Sequence, residues 1–400
     1  MAELGPVTCA GCGLLCDDVT VEASDDGVRL RPECWLGANW FSERMNRPDE
    51  APATIGGEAA DVESALARAA ELLRGARRPL VHGFEGATVE DARAAVALAD
   101  RLGALVSTGS VSDQWPGAPA VPLRGNSTAT LGEIRDRSRL VVVWREDPET
   151  AQPRLLDRLG FSEGSRSERV LAVIDDRDTA TARRADLRLA WQRERDLEAL
   201  TSLHVLQRGL PVRSGDLAAE LSGLIERFGS VPHATFVYGP GLTEGAGGQR
   251  KALALHELVR ALCHERHVVT LELLRSPGTR SADDVLAWQT GYSGGVDLAS
   301  GHPELVTATR PLADAECADV SLRIESAPVE LPAGVTEIVL GTLPAGPAAM
   351  VSIRTAAAGV SATGTAHRLD GVPLALQAPR PRDAPTAAAL LTRLLAEIDR

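Results

Sequence analysis

The chain has 400 residues, 44% of them apolar and 3% aromatic, and carries a formal net charge of −13. At roughly 100–200 residues per domain, that length holds two to four domains with sizeable cores. The acidic balance argues against a nucleic-acid or anionic-membrane partner and favours a protein working among small molecules and other proteins. No apolar run approaches the length of a membrane-spanning helix. Residues 1–13 have neither a basic n-region nor an apolar h-region, so no signal peptide is expected. The expected location is therefore cytoplasmic, where disulfides are rare. Lys251 is the only lysine, so the arginine excess reads as codon bias, not arginine-specific chemistry.

In chain order, residues 1–50 form a cysteine-bearing lobe. Within it 19–22 and 28–31 predict a small hairpin around a turn at 24–27. Asp61 caps a predicted helix with an apolar stripe of Val62, Ala65, Leu66, Ala69, Leu72 and Leu73, closed by Gly75. A strand at 80–83 follows. Thr88, with Asp91 three residues on, predicts the start of a second helix ending at Gly103, and 104–107 is the next strand. Buried strands are predicted at 140–144, 170–174, 235–239 and 268–273, with helices at 194–208, 214–228 and 246–263 among them. A C-terminal helix ends near Ile398. This alternation predicts an α/β fold of mostly parallel sheets flanked by helices, with ligands at the carboxyl ends of strands.

Four of the six cysteines crowd the N-terminus as C-x2-C-x3-C plus a fourth after seventeen intervening residues: Cys9, Cys12, Cys16 and Cys34. In a reducing compartment such clustering points to metal before disulfide. Four thiolates complete a [4Fe–4S] cubane or hold tetrahedral zinc; the triplet spacing favours iron–sulfur, and an empty reduced lobe is the bland alternative. Gly11 and Gly13 would let backbone amides approach the sulfurs. Cys263 and Cys317 are isolated and read as small core hydrophobes. The eight histidines (82, 204, 233, 256, 264, 267, 302 and 367) show no ligand spacing; His264 and His267 suit a helix C-terminus. The glycine-rich run at 245–248 precedes a helix and resembles an anion-binding turn, but reads first as a plain loop.

The run TCAGCGLLCDDVTV (8–21) with CWLGA (34–38) resembles the N-terminus of the formylmethanofuran dehydrogenase B subunits, a family of the molybdopterin oxidoreductase superfamily. The resemblance continues in order along the chain through LVHGFEGATVEDA (80–92), ALADRLGALV (97–106), WREDP (144–148), QPR (152–154), GPGLT (239–243), LAWQTGY (286–292) and GTAHRLDGVP (364–373). It implies one α/β domain inserted in another: a Cys-rich lobe over 1–50, a first domain of 51–112 plus 230–345, an inserted domain of 113–229, and a C-terminal segment of 346–400 packed on the first domain. It also implies cofactor or carrier contacts at Thr243, Trp288, Gln289, Thr290, Gly364 and Thr365. Trp288, Gln289 and Thr290 read equally well as a packed corner.

The departures from the family pattern concern the metal. Active members carry a Ser-Val-Cys-His element whose Cys, or selenocysteine, ligates molybdenum or tungsten beside a catalytic His. Here the aligned run is GSVSDQ (109–114), placing Ser112 and Asp113 at those positions. A hydroxyl is a hard ligand for a centre that selects thiolate, and a carboxylate replaces a proton carrier suited to neutral pH. The Gly and Asn of the family's Trp-Gly-x-Asn-Pro are Arg145 and Asp147, expected to crowd a pterin and repel its phosphates. Arg275 is kept, but the His expected after it is not. The resemblance therefore implies a non-redox, scaffold-type B subunit of a formyltransferase/hydrolase complex, with other subunits and a methanofuran-type carrier as partners and no tungsten or molybdenum pterin. The alternative is a working tungsten or molybdenum bis-pterin oxidoreductase.

Overall fold

The computed structural model describes residues 2–24, 27–46, 51–109, 120–162, 169–213, 215–244, 247–274, 276–306, 318–346 and 348–400. Strands β1 (Ala2–Val7), β2 (Val19–Ser24) and β3 (Gly27–Arg31) form an antiparallel sheet in that order. Helix α1 (Trp35–Met45) and the hairpin β4 (Ala53–Ile55)–β5 (Glu58–Ala60) follow. Helix α2 (Val62–Gly75) starts at Asp61, whose carboxylate accepts from Ser64 N at 2.8 Å. It buries Ala65, Leu66, Ala69, Ala70 and Leu73, and Val62 and Leu72 of the predicted stripe pack half-buried against the same core. Strand β6 (Pro79–Gly83) is buried throughout. Helix α3 (Val89–Leu102) opens with a reciprocal capping box between Thr88 and Asp91 and closes on Gly103 at φ 59°, and β7 (Leu105–Ser107) follows. Because Thr88 satisfies Asp91 N and also donates to the buried Asp91 carboxylate, Thr88→Ala is expected to cost about 1–2 kcal/mol. Urea unfolding checks this, and an unchanged midpoint would show that the box carries no stability.

The middle of the chain contains α4 (Ala120–Arg124), α5 (Leu131–Arg137), β8 (Leu140–Trp144), α6 (Pro148–Ala151), α7 (Leu155–Arg158), β9 (Val170–Ile174), α8 (Ala180–Arg184) and β10 (Leu187–Leu189). It continues through α9 (Asp196–Gln207), α10 (Leu217–Gly229), β11 (His233–Tyr238), α11 (Pro240–Thr243), α12 (Gly248–Leu262) and β12 (His267–Glu272). Five of these strands form a parallel sheet ordered β10-β9-β8-β11-β12. Its core includes Trp144, Phe228, Phe236 and Leu255. The chain advances one way from β8 and then the other way from β11, so the topological switch lies between β8 and β11.

The last stretch holds α13 (Pro277–Thr290), β13 (Gly295–Asp297), β14 (Glu304–Leu305), β15 (Val320–Ile324), β16 (Thr336–Gly341), β17 (Ala349–Arg354), the hairpin β18 (Gly364–His367)–β19 (Pro373–Leu376), and α14 (Ala387–Ile398). Together with the N-terminal strands it makes a nine-stranded sheet, β14-β13-β7-β6-β15-β16-β17-β4-β5, with a parallel centre from β7 to β17 and antiparallel edges. Helices α2, α3, α13 and α14 contribute to the core on this sheet. Its switch lies between β6 and β15.

The chain thus divides into two units: Met1–Gln114, Arg275–Arg368 and Pro373–Arg400 in one, Trp115–Leu274 and Leu369–Val372 in the other. The expected boundary at 229–230 is corrected. β11 pairs with β8, Ala234 opposite Leu140, and β12 pairs with β11, so 233–272 completes the inserted sheet and the first unit resumes at 275. Residues 2–46 fall inside the first unit, not in a unit of their own. Among the described residues no helix is long and apolar enough to cross a membrane.

Candidate functional site

The segment between β1 and β2 folds back on itself through Cys9 N to Cys16 O at 2.8 Å and Leu15 N to Cys12 O at 3.2 Å, with Leu15 left-handed at φ 40°. Cys9, Cys12 and Cys16 are buried, Cys34 is half-buried, and none of the four is in a disulfide. Cys34 is the N-cap of α1, its sulfur accepting from Gly37 N at 3.5 Å. Gly37 brings the two ends of the motif together: a Cβ there would lie 3.0 Å from Cys9 Sγ and 3.8 Å from Cys34 Sγ. Gly11 is similarly constrained, 3.1 Å from Trp40 Cβ, and its amide donates to Cys9. Burial pushes the Cys9 thiol far up, and Cys12, Cys16 and Cys34 each push it further. The four sulfurs therefore share one electrostatic environment. Among the described residues no three His, Cys, Asp or Glu side chains form a group able to hold a metal ion.

Beside this segment lies the switch point of the nine-stranded sheet. Gly83 and Phe84 leave β6 with left-handed φ of 103° and 73°, and Glu325 leaves β15 at φ 46°. Phe84 N donates to Ile324 O and Gly86 N to Glu325 O, each at 2.7 Å, which straps the two strand ends together. A residue other than glycine in the left-handed region is strained, and such strain clusters at functional sites. The Glu325 carboxylate accepts from Thr342 N at 3.0 Å, Thr342 Oγ1 at 2.7 Å and Thr355 Oγ1. It borders a cavity of about 20 Å³ whose other walls include Ala10, Trp40, Arg44, Pro277 and Ala357. Burial, then Asp91, pushes Glu325 up to about 7. Glu325 is half-buried by surface area. Sequence reasoning missed both Glu325 and Arg44; the signal for Glu325 was its place one residue beyond a buried parallel strand.

At the switch point of the second sheet the strand ends meet directly. A Cβ on Gly241 would lie 1.8 Å from Arg145 O, and Gly241 N donates to Glu146 Oε1 at 2.5 Å. The chain's own carboxylate thus takes the amide that a ligand's phosphate would need. Arg145, left-handed at φ 57°, does not project toward a ligand as expected. Its guanidinium turns into the core, to Asp196, Asp176 Oδ1 at 2.7 Å and Trp191 O at 2.6 Å. Asp147 is half-buried and accepts from Thr181 and Thr150.

The remaining candidates divide. Thr290 Oγ1 donates to Leu286 O and Tyr292 O, the packed-corner reading. Thr243 Oγ1 closes its own turn on Gly239 O. A Cβ on Gly364 would meet Thr88, and Thr365 donates twice to Glu90, so both fasten β18 to α3. Trp288, 62% exposed, and Gln289 stay open to solvent. Trp288 lies against His367, whose Nδ1 is 2.6 Å from Asp284 Oδ2. Cys263 is exposed, which corrects its reading as a core residue. Ser112, Asp113, Arg275 and Cys317 lie outside the described residues.

No protein-family model matches the chain. The B subunit of the tungsten-containing formylmethanofuran dehydrogenase 2 of Methanocaldococcus jannaschii is 28% identical over 407 aligned positions, covering 93% of this chain and 92% of the relative. The chain is similar to formylmethanofuran dehydrogenase B subunits over nearly its whole length. The B subunit of the formyltransferase/hydrolase complex of Methylorubrum extorquens is 28% identical over 292 positions, 70% of this chain and 76% of that one. A chain of the crystal structure of that organism's formyltransferase/hydrolase complex with methylofuran superposes with a TM-score of 0.70 at 25% identity, covering 87% of this chain and 98% of that one. Acetylene hydratase from Pelobacter acetylenicus shares the fold at a TM-score of 0.55 and 11% identity, over 98% of this chain and 69% of its own. The chain thus shares the mixed α/β fold of these two structures.

Proposed function

We propose that this chain is a non-redox, scaffold-type B subunit of a formyltransferase/hydrolase complex. That complex would convert formyl-tetrahydromethanopterin to formate through formylmethanofuran in one-carbon metabolism. The observation that carries the reading is the superposition on a chain of such a complex over 98% of that chain's length. Two further features support it. The positions matching the metal ligand and catalytic His are Ser112 and Asp113, and the second sheet's switch crevice is filled by Glu146. The partners are the other subunits and a methanofuran-type carrier, for which exposed Trp288 and Gln289 are the available contact positions. A cytoplasmic location and the absence of a nucleic-acid partner accord with the net charge of −13.

A [4Fe–4S] cluster on Cys9, Cys12, Cys16 and Cys34 is the cofactor that the cysteine spacing suggests. It would require the four sulfurs to draw together, because among the described residues no three of them form a metal-holding group; the amides of Gly11 and Gly37 directed at sulfur support it. Such a cluster would supply one-electron capacity or a structural brace.

Metal analysis of the purified complex is expected to find no stoichiometric tungsten or molybdenum. Ser112→Ala is expected to leave formyl transfer and hydrolysis unchanged. Stoichiometric tungsten or molybdenum, or formate-dependent dye reduction abolished by Ser112→Ala, would restore the oxidoreductase. Absence of iron would remove the cluster and leave the scaffold reading intact.

A further inference from the structure

Helix α12 starts against electrostatic preference. The positive end of a helix dipole favours a capping oxygen and acidic side chains. Gly247, left-handed at φ 78°, stands at the N-cap; among the described residues no side chain caps the helix, and its first turn holds no acidic residue. That turn carries Arg250 and Lys251 instead. Arg250 is exposed. Lys251 is only 6% exposed, yet among the described residues its ammonium makes no hydrogen bond or ion pair. A helical side chain leans towards the N-terminus of its own helix, so Lys251 lies along the uncapped amides of that first turn.

Nothing nearby neutralises it. Burial weakens the hold of Lys251 on its proton; Asp196 and Glu194 strengthen that hold, and Arg193 and Arg145 weaken it. Asp196 is already taken up by Arg145 and by the indoles of Trp144 and Trp191. The acids and the arginines balance, which leaves Lys251 as an uncompensated positive charge. A buried ammonium without a partner is costly. Among the described residues the Arg193 guanidinium likewise makes no hydrogen bond or ion pair, and it supplies a second cationic donor. At the neighbouring strand end Glu146 holds the amide of Gly241, so the donors that remain for an anion are those of α12.

We propose that the first turn of α12, together with Lys251 and Arg193, is a binding site for a small oxyanion of one negative charge, a monocarboxylate.

Its oxygens accept from the first-turn amides and from Lys251 Nζ, and its charge balances the ammonium. Thermal unfolding of the full chain in sodium formate, against sodium chloride at equal ionic strength, tests this. Formate is expected to raise Tm saturably and chloride is not. Lys251→Met keeps the buried stem without the charge; it is expected to fold at least as stably without the anion and to lose the formate effect. A second measurement needs no variant. Lys251 is the only lysine, so an amine-directed acylating reagent followed by peptide mass reads its accessibility. At formate ten times its Kd, acylation of Lys251 is expected to slow about tenfold relative to chloride. Equal effects of formate and chloride on Tm, an acylation rate unchanged by formate, or the same formate stabilisation in Lys251→Met would each overturn the proposal.

Discussion

Replacing Arg145 by methionine is expected to destabilise the second unit by about 3–5 kcal/mol. Arg145 is 1% exposed and Asp196 is not exposed at all. Asp196 Oδ1 accepts from the indoles of Trp144 at 3.1 Å and Trp191 at 2.9 Å, and from the guanidinium. Removing the guanidinium leaves a buried carboxylate whose two remaining neutral donors do not balance its charge. Lys251 feels Asp196, but burial lowers its own tendency to hold a proton, so it is a poor replacement. The loss should therefore resemble breaking a buried pair, not deleting a surface contact. Urea unfolding followed through tryptophan fluorescence reads it directly, because Trp144 and Trp191 contact the network. Adding Asp196→Asn should recover much of the loss, since both charges are then gone. A single variant as stable as the native chain would mean that the network is idle.

Gly241→Ala should be nearly as damaging for a steric reason. The added methyl would sit 1.8 Å from Arg145 O and 2.9 Å from Glu146 Oε1. Backbone cannot move aside as a flexible side chain can, so the loop after β8 must shift and release the bond from Gly241 N. A cost of about 3 kcal/mol or more is expected. Gly223 on α10 supplies the internal comparison. A methyl there meets nothing within 4 Å, and Gly223→Ala should stabilise by about 0.5–1 kcal/mol. If chemical denaturation ranked the two variants equally, the strand ends would not be in contact.

The parts of the fold legible in the sequence were those where local chemistry and packing agree. Thr88 and Asp91 announced α3, Asp61 announced α2, and the uninterrupted apolar run at 140–144 announced β8. Strands β15 and β16 were not legible, because each buries a charge: Arg323 Nε bonds Glu337 Oε1 at 2.8 Å across the pair, so an ion pair interrupts what would otherwise read as apolar strands. The domain boundary failed for a similar reason. Strand β11 is buried on every residue, but nothing in its composition says which sheet takes it. Cysteine spacing marked the N-terminal motif, whereas Glu325 and Arg44 lie hundreds of residues apart and meet only through the order of strands.

That strand order also constrains synthesis. The central strand β6 pairs with β15, and Arg78 N beside it bonds Asp319, 241 residues further on. At about 5–20 residues per second, the ribosome delivers that partner roughly 10–50 s after β6 has emerged. The second sheet draws on 140–272 alone and is complete well before. Nascent chains therefore carry a finished second sheet while the open edge of β6, buried on every residue once folded, still awaits its neighbour. It is in this interval that β6 is most exposed to misplaced strand pairing and most in need of a chaperone.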